Sequence, residues 1–404
     1  MQIQVIPVAG DWKLAVDFGT AFTAAAVAED NAITDVAFGG CPVLPSAVAL
    51  DAAGQILTGW EALDWGRTNP HSVLRQPKRE VSAGAKVRLD GTTVLVADVV
   101  VAVLNRILVE EASRRSGRPP SDVVFCHPAT WTGAESGEIS AAAAARGIPG
   151  LSFVAEPLAA AMHYFGGCPA PGCAQGGSSA SGAGELVICD FGAGLGVTVI
   201  RRSDGLPAIA GRPSADDEFG GDDLDERMMD LLADRAYEAD PRLWDSLTKA
   251  QPEPTAELAL VRSRVTHARE TLSSLLHTDI AVPGYGASFR VTRREFEAAA
   301  KQDFERMVAL TETAITLAGL TPTGLSAVAL AGAVSRTPAV SDVLATRLSV
   351  LPWMPTDPKV PVAHGALLTG IAGAASAAGE TTRPSVGPQH YRVFDPDNDD
   401  WLNT

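Results

Sequence analysis

The chain has 404 residues, yet no apolar run in it approaches the roughly 18 to 20 residues that a transmembrane helix needs. The first residues also lack the basic start and the apolar stretch of a secretory signal, so we expect neither an anchor nor export. Basic residues are scarce as well, since 32 Lys and Arg stand against 48 Asp and Glu, a formal net charge of −16. That balance excludes a nucleic-acid groove or an anionic membrane surface as the main partner.

Cysteine is equally sparse. The five cysteines stand at positions 41, 126, 168, 173 and 189, an odd number without the spacing of a disulfide framework. Cys168 and Cys173 are a close pair, but no second pair or histidine cluster accompanies them to make a zinc site. The pattern is typical of a reduced compartment, and we therefore expect a cytoplasmic protein.

The chain does contain two apolar runs separated by small residues, in the stretch ELVICDFGAGLGVTVI at 185–200. The first run ends in Asp190, and Gly192, Ala193 and Gly194 follow. The pattern predicts a β-hairpin whose tip carries an acid and almost no other side chains. Backbone N–H groups at such a tip approach an anion closely, and the carboxylate beside them suits a metal ion.

The same pattern occurs near the start of the chain, where LAVDFGTAFTAAAV at 14–27 repeats the Asp-Phe-Gly core with Asp17 and Gly19. Two equivalent hairpins predict two similar lobes. We expect lobe I at 1–182, ending in a Gly/Ser-rich connector, lobe II at 183–379, and a mobile acidic tail at 380–404. A helix of small residues predicted at 361–375 is suited to close packing and could return to lobe I.

Two helix starts are marked by the spacing of a capping box. Thr132 with Glu135 opens an alanine-rich helix, and Thr292 with Glu295 opens a long helix that is predicted to end near Gly319.

Two further segments bear on function. Glu156 precedes Pro157, which suits the first turn of a helix, so the glutamate is expected at a strand-to-helix corner. The segment 69–88 is locally basic, and its composition alone predicts a solvated loop.

Eight short segments together carry a resemblance to a known family. They are VDFGTAF, PKRE, AEPLAAAMHYFG, DFGAG, FGGDDLDERM, ARETLSS, AGAVSRTP and VAHGAL, and they fall within about residues 12–375. In this order they resemble the nucleotide-binding domain of the seventy-kilodalton heat-shock chaperones of the DnaK type, within the actin-like superfamily. The resemblance implies an α/β fold of two lobes, each a mixed sheet flanked by helices, around a central nucleotide cleft.

The resemblance also implies roles for single residues. Asp17 and Asp190 would hold hydrated Mg²⁺ beside the phosphates of ATP or ADP, from opposite sides of the cleft. Lys78 matches the family's catalytic lysine, and Glu156 matches the glutamate that couples the nucleotide to lobe movement. Lys78 is therefore expected to matter for phosphate contact rather than for folding.

Further contacts to the nucleotide are implied in both loops and on the adenosine side. The loops would supply Gly19, Thr20, Gly192, Ala193 and Gly194. The adenosine side would be formed by Gly220, Gly221, Arg269, Ser273, Gly332 and Arg336.

The second loop departs from the family pattern Gly-Gly-Gly-Thr-x-Asp, because Leu195 and Val197 stand where the Thr and the Asp belong. Neither side chain carries a polar atom that could orient a water or accept a proton. On the adenosine side Glu270 replaces a basic residue, Val334 replaces a serine, and Lys359 replaces an acid. These changes predict impaired hydrolysis and weak discrimination between bases.

The sequence therefore favours a DnaK-like module that binds Mg-ATP or Mg-ADP as a conformational switch, with weak or absent hydrolysis. Two alternatives stay open: a competent slow ATPase, and a nucleotide-free pseudo-ATPase scaffold for protein partners. A sugar or acetate kinase is disfavoured, because no acceptor-substrate signature is visible. Since the family's linker and peptide-binding domain do not occur in this chain, we expect protein partners or a C-terminal domain outside it.

Overall fold

The computed structural model describes residues 12–30, 32–148, 150–166, 184–192, 194–203, 206–216, 219–248, 255–355, 357, 360–377, 392–395 and 400–403. The Gly/Ser-rich connector lies outside these residues, and so do Cys168, Cys173, Ala193 and Lys359. The chain divides into two compact units. Unit 1 comprises Met1–Gly184, Ile200–Gly211 and Pro355–Thr404, and unit 2 comprises Glu185–Val199 and Arg212–Met354.

The strands of the described residues are β1 (Lys13–Phe18), β2 (Phe22–Glu29), β3 (Ala32–Asp35), β4 (Val43–Pro45), β5 (Val48–Leu50), β6 (Ile56–Thr58), β7 (Val73–Leu74), β8 (Lys86–Leu89), β9 (Thr92–Leu95), β10 (Asp122–His127), β11 (Leu151–Ala155), β12 (Gly184–Phe191), β13 (Leu195–Ser203), β14 (Leu206–Asp216), β15 (His277–Ala281), β16 (Ser288–Thr292), β17 (Ala327–Ala331), β18 (Arg392–Asp395) and β19 (Asp400–Asn403).

The α-helices are α1 (Trp60–Trp65), α2 (Val96–Arg114), α3 (Gly133–Ala145), α4 (Glu156–Gly166), α5 (Gly221–Ala239), α6 (Pro241–Thr248), α7 (Ala256–Thr271), α8 (Arg293–Ala299), α9 (Lys301–Leu317), α10 (Pro338–Leu348) and α11 (Pro361–Ala377). Short 3-10 helices span Pro70–Ser72, Pro77–Glu80, Pro322–Gly324 and Ala333–Arg336.

Unit 1 is built on a mixed sheet with the strand order β11-β10-β1-β2-β3, and β4 also pairs with β2. Strands β1, β10 and β11 are parallel, whereas β1 and β2 form an antiparallel hairpin. The apolar stripe of α2 packs on this sheet, because apolar residues three and four positions apart share one helix face. The resulting core includes Leu14, Val16, Val103, Ile107 and Phe125, all fully buried.

Unit 2 contains most of a second mixed sheet, with the strand order β14-β13-β12-β17. Strands β12 and β17 are parallel and almost wholly buried, as their continuous apolar sequences require. Trp353 extends the sheet beyond β17, because its N–H donates to Val328 O at 2.7 Å and its carbonyl accepts from the Leu330 N–H at 2.8 Å. The predicted fold class is confirmed, since each unit is a mixed sheet with flanking helices.

The two predicted hairpins occupy equivalent places in the two sheets. In each, the first strand lies between its hairpin partner and a parallel neighbour, which is β10 for β1 and β17 for β12. Each first strand ends in Asp-Phe, and three residues then connect it to the second strand. The repeat seen in the sequence is thus a repeat of strand topology as well.

Helices α4 and α11 of unit 1 pack closely against each other. A Cβ atom at Gly365 of α11 would lie 1.7 Å from the carbonyl oxygen of Ala159 in α4, so only glycine permits this approach. His163 of α4 and His364 of α11 also meet there, with ring centroids 5.6 Å apart, and His364 Nε2 lies 2.6 Å from Asp35 Oδ1.

Three details go beyond the sequence patterns. The helix predicted from Thr292 to near Gly319 is two helices, α8 and α9, that meet at the buried Ala300. Within the predicted tail, β18 and β19 pair antiparallel. Among the described residues, no helix is both long and apolar enough to cross a membrane.

Candidate functional site

The first predicted loop, in unit 1, is held by a buried serine from outside the hairpin. The hydroxyl of Ser46 donates to the carbonyl of Gly19 at 2.7 Å, and the Thr23 and Ser46 hydroxyls lie 2.9 Å apart. Asp17 and Thr20 are half-buried at this end of β1. The loop is therefore fixed by side-chain hydrogen bonds, although its own sequence is made of small residues.

Lys78 and Glu156 form an ion pair in unit 1. Lys78 Nζ donates to Glu156 Oε1 at 2.5 Å, and each side chain is 11% exposed. The pair joins the 3-10 helix Pro77–Glu80 to the corner between β11 and α4, where the sequence places Glu156. The solvated-loop prediction for 69–88 is therefore wrong for Lys78. The other basic residues of the segment are exposed: Arg75, Arg79, Lys86 and Arg88.

Charged groups of unit 1 converge on Cys126, which lies opposite Asp17 in the parallel pairing of β1 and β10. Burial raises the pKa of the Cys126 thiol well above its usual range, the carboxylates of Asp17 and Glu156 raise it further, and Lys78 opposes them. Burial also lowers the pKa of His127, whose Nδ1–H donates to the Pro128 carbonyl at 2.8 Å. These effects place Asp17, Lys78 and Glu156 within electrostatic reach of one buried thiol.

The second predicted loop, in unit 2, lies against the end of β17. Asp190 is half-buried and stands opposite Ala331, and the Gly192 N–H donates to the Gly194 carbonyl at 3.0 Å. Gly332 follows Ala331 with a φ of +79°, and a Cβ atom there would lie 2.0 Å from the Phe191 carbonyl oxygen. Both the positive φ and the close approach require glycine at position 332.

The N-terminus of α5 reaches the same loop. The Gly221 N–H contacts the Gly192 carbonyl at 3.4 Å, and the Gly220 N–H donates to Asp223 Oδ2 at 2.8 Å. The sequence-predicted glycines Gly192, Gly220, Gly221 and Gly332 are therefore brought together in unit 2.

Arg269 lies beside these glycines with a buried guanidinium. It is 6% exposed, and its Nε–H donates to Asp225 Oδ1 at 2.5 Å. Its Nη2 lies 3.6 Å from the position that a Cβ of Gly221 would occupy, and Val334 Cγ2 lies 3.7 Å from the same point. Within the described part of the chain, neither Nη1 nor Nη2 of Arg269 has a hydrogen-bond acceptor.

The remaining predicted residues of the adenosine side are less enclosed. Ser273 is half-buried just after α7, Arg336 is exposed at the end of its 3-10 helix, and Glu270 is exposed. Leu195 and Val197, which replace the polar residues of the family loop, are buried in β13, at 2% and 0% exposure.

Sequence reasoning assigned no role to Ser46, Cys126, Asp225 or Thr266, although all four contact or adjoin predicted site residues. Asp225 stands within the segment FGGDDLDERM, one helical turn beyond Gly221, so its acidic type was visible but its partner was not. The partner, Arg269, is 44 positions away, and no local pattern links the two.

The residues present fit a Mg²⁺-nucleotide. Each loop offers small residues and backbone amides beside an aspartate, and unit 2 offers a buried cation with unused N–H groups. Among the described residues, no cluster of three or more His, Cys, Asp or Glu side chains could hold a metal by itself. A Mg²⁺ ion commonly takes one or two carboxylates and fills its remaining positions with water and phosphate oxygens, so the aspartate of each loop is a ligand of the type that Mg²⁺ uses.

Comparison with known proteins identifies the family. The family model described as "Hsp70 protein" matches residues 67–378, more than half of the chain, and the chain therefore belongs to the Hsp70 family. It is similar to proteins named "Chaperone protein DnaK" from Thermotoga neapolitana and Thermotoga maritima, each 25% identical over 355 residues. These matches cover 84% of this chain and 56% of each relative, so the chain spans about half the length of the curated relatives it matches.

Proposed function

We propose that the chain is an Hsp70-type module that binds Mg-ATP or Mg-ADP as a conformational switch, with weak or absent hydrolysis. The observation that carries the proposal is the duplicated hairpin, because each copy ends in an aspartate beside a three-residue turn of small residues. Hsp70 proteins as a family bind ATP and ADP with Mg²⁺. The switch is proposed to act on protein partners or on a C-terminal domain outside this chain.

The predicted site residues of unit 1 and of unit 2 have distinct proposed roles. Asp17 and Asp190 hold the hydrated metal, and backbone amides of the two loops bind phosphate oxygens. A bound Mg²⁺ neutralises phosphate charge and orients the phosphoryl oxygens. Lys78 donates to the phosphates, and Glu156, which holds the Lys78 ammonium by their ion pair, orients it. Arg269 donates its terminal N–H groups to the nucleotide.

Binding is tested by thermal unfolding with Mg-ADP, with Mg-ATP and without ligand. A ligand present at 100 times its Kd adds about 2.7 kcal/mol to the free energy of unfolding, which gives an easily measured rise in Tm. The Asp17→Asn/Asp190→Asn variant should lose most of this rise. An unchanged Tm of the unaltered chain at millimolar nucleotide would favour the scaffold alternative.

The proposal of weak hydrolysis rests on Leu195 and Val197. Both are apolar and buried, so neither positions a water or accepts a proton. Loss of an acid–base or positioning group commonly slows a reaction about 10²- to 10⁴-fold. The test is a single-turnover ATP assay on the unaltered chain, on Leu195→Thr, and on Leu195→Thr/Val197→Asp, with Tm as the check on folding. The competent-ATPase alternative is supported if the unaltered chain hydrolyses ATP as fast as a folded polar variant.

Base selectivity is proposed to be weak, because Glu270 and Val334 replace polar or basic groups of the family pattern. The surviving contacts supply about 1–3 kcal/mol of discrimination, or roughly 5- to 150-fold. Competition titrations with ADP and GDP measure this ratio. A preference for ADP above about a thousandfold would contradict the proposal.

A further inference from the structure

The guanidinium of Arg269 is nearly buried but only partly used. At 6% exposure it has one hydrogen-bond acceptor among the described residues, Asp225, which binds Nε–H. A guanidinium carries five N–H groups, so the four on Nη1 and Nη2 have no acceptor in this part of the chain. Both terminal nitrogens keep contact with solvent, since Trp65 Nε1 is the only fully buried side-chain N or O atom without a partner among the described residues. An acceptor on a bound molecule can therefore replace water at these donors.

Asp225 is itself held in place. Its second oxygen accepts a hydrogen bond from the Thr266 hydroxyl at 2.7 Å, so both carboxylate oxygens are engaged by residues of α7. Burial raises the pKa of the Asp225 carboxyl, and Arg269 and Thr266 oppose that effect. The carboxylate thus fixes the guanidinium through Nε–H, and neither Nη1 nor Nη2 has an acceptor among the described residues.

The terminal nitrogens lie beside the predicted nucleotide loop. Nη2 is 3.6 Å from the place where a Cβ of Gly221 would stand, and the Gly221 N–H contacts Gly192 of the second loop. Glycine leaves this space open, and Val334 bounds it with a methyl group. An acceptor that enters here lies beside the Nη2 donor of Arg269.

We propose that Asp225, with Thr266, is a positioning residue that orients Arg269 to bind an oxygen acceptor of the nucleotide. This inference rests on the proposed nucleotide-binding function and names the residues that make Arg269 a directed donor. Asp225 neutralises the guanidinium charge, so Arg269 offers directed N–H groups rather than a net positive charge. A neutral hydroxyl of the sugar is therefore the acceptor that fits best.

The test is a double-mutant cycle on ADP affinity, measured by calorimetry with Mg²⁺. Arg269→Gln and Asp225→Ala should each lower the affinity about 10- to 100-fold, since hydrogen bonds to charged groups are among the stronger ones. If Asp225 acts only through Arg269, the double variant loses no more than Arg269→Gln alone. Additive losses, or an unchanged affinity in either single variant, would overturn the proposal.

A milder variant covers the case in which Asp225→Ala does not fold. Thr266→Val removes only the hydroxyl that holds Asp225, and it should lower ADP affinity about threefold to tenfold, in the range of one neutral hydrogen bond. This loss should disappear in the Arg269→Gln background. A loss that persists there means that Thr266 acts on the nucleotide independently, which contradicts the positioning role.

The chain provides a matched control between the same two helices. Glu226 and Arg262 also form an ion pair between α5 and α7, but both side chains are about half exposed. The Glu226→Gln/Arg262→Gln variant should bind ADP as the unaltered chain does. An equal loss of affinity in this control would mean that any ion pair between α5 and α7 affects ADP binding. That result would contradict a specific role for Asp225.

The choice of acceptor is tested with 2′-deoxy-ADP, 3′-deoxy-ADP and pyrophosphate. If a sugar hydroxyl is the acceptor, one deoxy analogue binds the unaltered chain about tenfold more weakly than ADP, and Arg269→Gln removes that difference. If pyrophosphate binding depends on Arg269 instead, the acceptor is a phosphate oxygen and the hydroxyl assignment is overturned. Failure of the unaltered chain to bind any nucleotide would overturn the proposed function itself, whereas binding without dependence on Arg269 overturns only this inference.

Discussion

Lys78 has a structural partner as well as a proposed ligand. The sequence alone predicts that Lys78→Ala leaves the melting temperature nearly unchanged, but the Glu156 side chain is only 11% exposed and depends on this lysine for its ion pair. Removal of Lys78 leaves a largely buried carboxylate without its cation. We therefore expect Lys78→Ala to lower the free energy of unfolding by about 1–3 kcal/mol, measured by urea denaturation.

Two variants test whether loss of the Lys78–Glu156 ion pair causes the destabilisation. Lys78→Ala/Glu156→Gln removes both charges, and it should recover part of the lost stability. Lys301 forms an exposed pair with Glu305, with side chains 74% and 61% exposed, so Lys301→Ala should change stability by less than about 0.5 kcal/mol. If Lys78→Ala is as neutral as Lys301→Ala, the ion pair contributes nothing to folding and Lys78 serves the nucleotide alone.

Whether the role of a single residue could be predicted depends on how far away in the sequence its partner stands. Asp17, Asp190 and the glycines of the loops could be predicted, because their types and spacing repeat within short segments. The partners of Lys78 and Arg269 could not, because they stand 78 and 44 positions away and follow from the packing of helices and strands. Composition predicted a solvated loop around Lys78 because the partner of this lysine, Glu156, stands outside the segment 69–88.

The crossing of α4 and α11 depends on the absence of one side chain. A Cβ at Gly365 would lie 1.7 Å from the Ala159 carbonyl, so Gly365→Ala must move one helix away from the other. We expect a loss of about 3 kcal/mol in the free energy of unfolding, by denaturant titration. Gly137 of α3 is the control, since a Cβ there meets no atom within 4 Å. Gly137→Ala should stabilise the chain by about 0.5–1 kcal/mol, because alanine is the better helix former. If Gly137→Ala also lowers the free energy of unfolding, the loss in Gly365→Ala cannot be assigned to the close approach of the two helices.

The same crossing carries a pH dependence. Burial, the largest cause, and the neighbouring His364 together lower the pKa of His163 to about 4, although Asp35 opposes them. In the unfolded chain a histidine titrates near 6.5, so between about pH 6.5 and pH 4 the unfolded state binds more protons. The contribution of His163 is therefore fully present above pH 6.5 and is lost as the pH falls toward 4, by about 2–3 kcal/mol.

A neutral replacement isolates this contribution from the many carboxylates that titrate in the same range. His163→Gln should be less sensitive to acid between pH 6.5 and 4 than the unaltered chain, measured as the free energy of unfolding at each pH. His267→Gln is the control, because His267 is exposed on α7. Parallel curves for the unaltered chain and His163→Gln would show that His163 is not the group responsible.

Elements with strong local signals were predicted well. Both capping boxes are present, at Thr132 with Glu135 and at Thr292 with Glu295. The division between α8 and α9 was missed, because Ala300 is a good helix former and neither Gly nor Pro marks the break. Ala300 is fully buried, so tertiary packing overrides the local preference there.

At the scale of the whole chain, the duplicated hairpin predicted two similar sheets, and both are present with the aspartate in the same place. Unit 1 also contains the later segments Ile200–Gly211 and Pro355–Thr404. The small residues at 361–375 allowed for a return of that helix to lobe I, whereas nothing in the sequence pointed to Ile200–Gly211. The contact that ties α11 to α4 involves Gly365 and Ala159, which are about 200 positions apart in the sequence. Such contacts follow from complementary surfaces, which no short pattern encodes.

Each unit also contains a buried thiol among its described residues, Cys126 on β10 and Cys189 on β12. Burial raises the pKa of Cys126 well above its usual range and that of Cys189 to about 12, so neither forms the reactive thiolate while its strand stays packed. In a variant that keeps only Cys126 or only Cys189, modification by a maleimide then requires local or global opening of the unit concerned. Single-thiol versions of the chain therefore report the opening rates of the two units separately, by mass spectrometry over time. We expect Mg-ADP to slow both rates, and modification as fast as that of an unfolded cysteine would show that the strand opens freely.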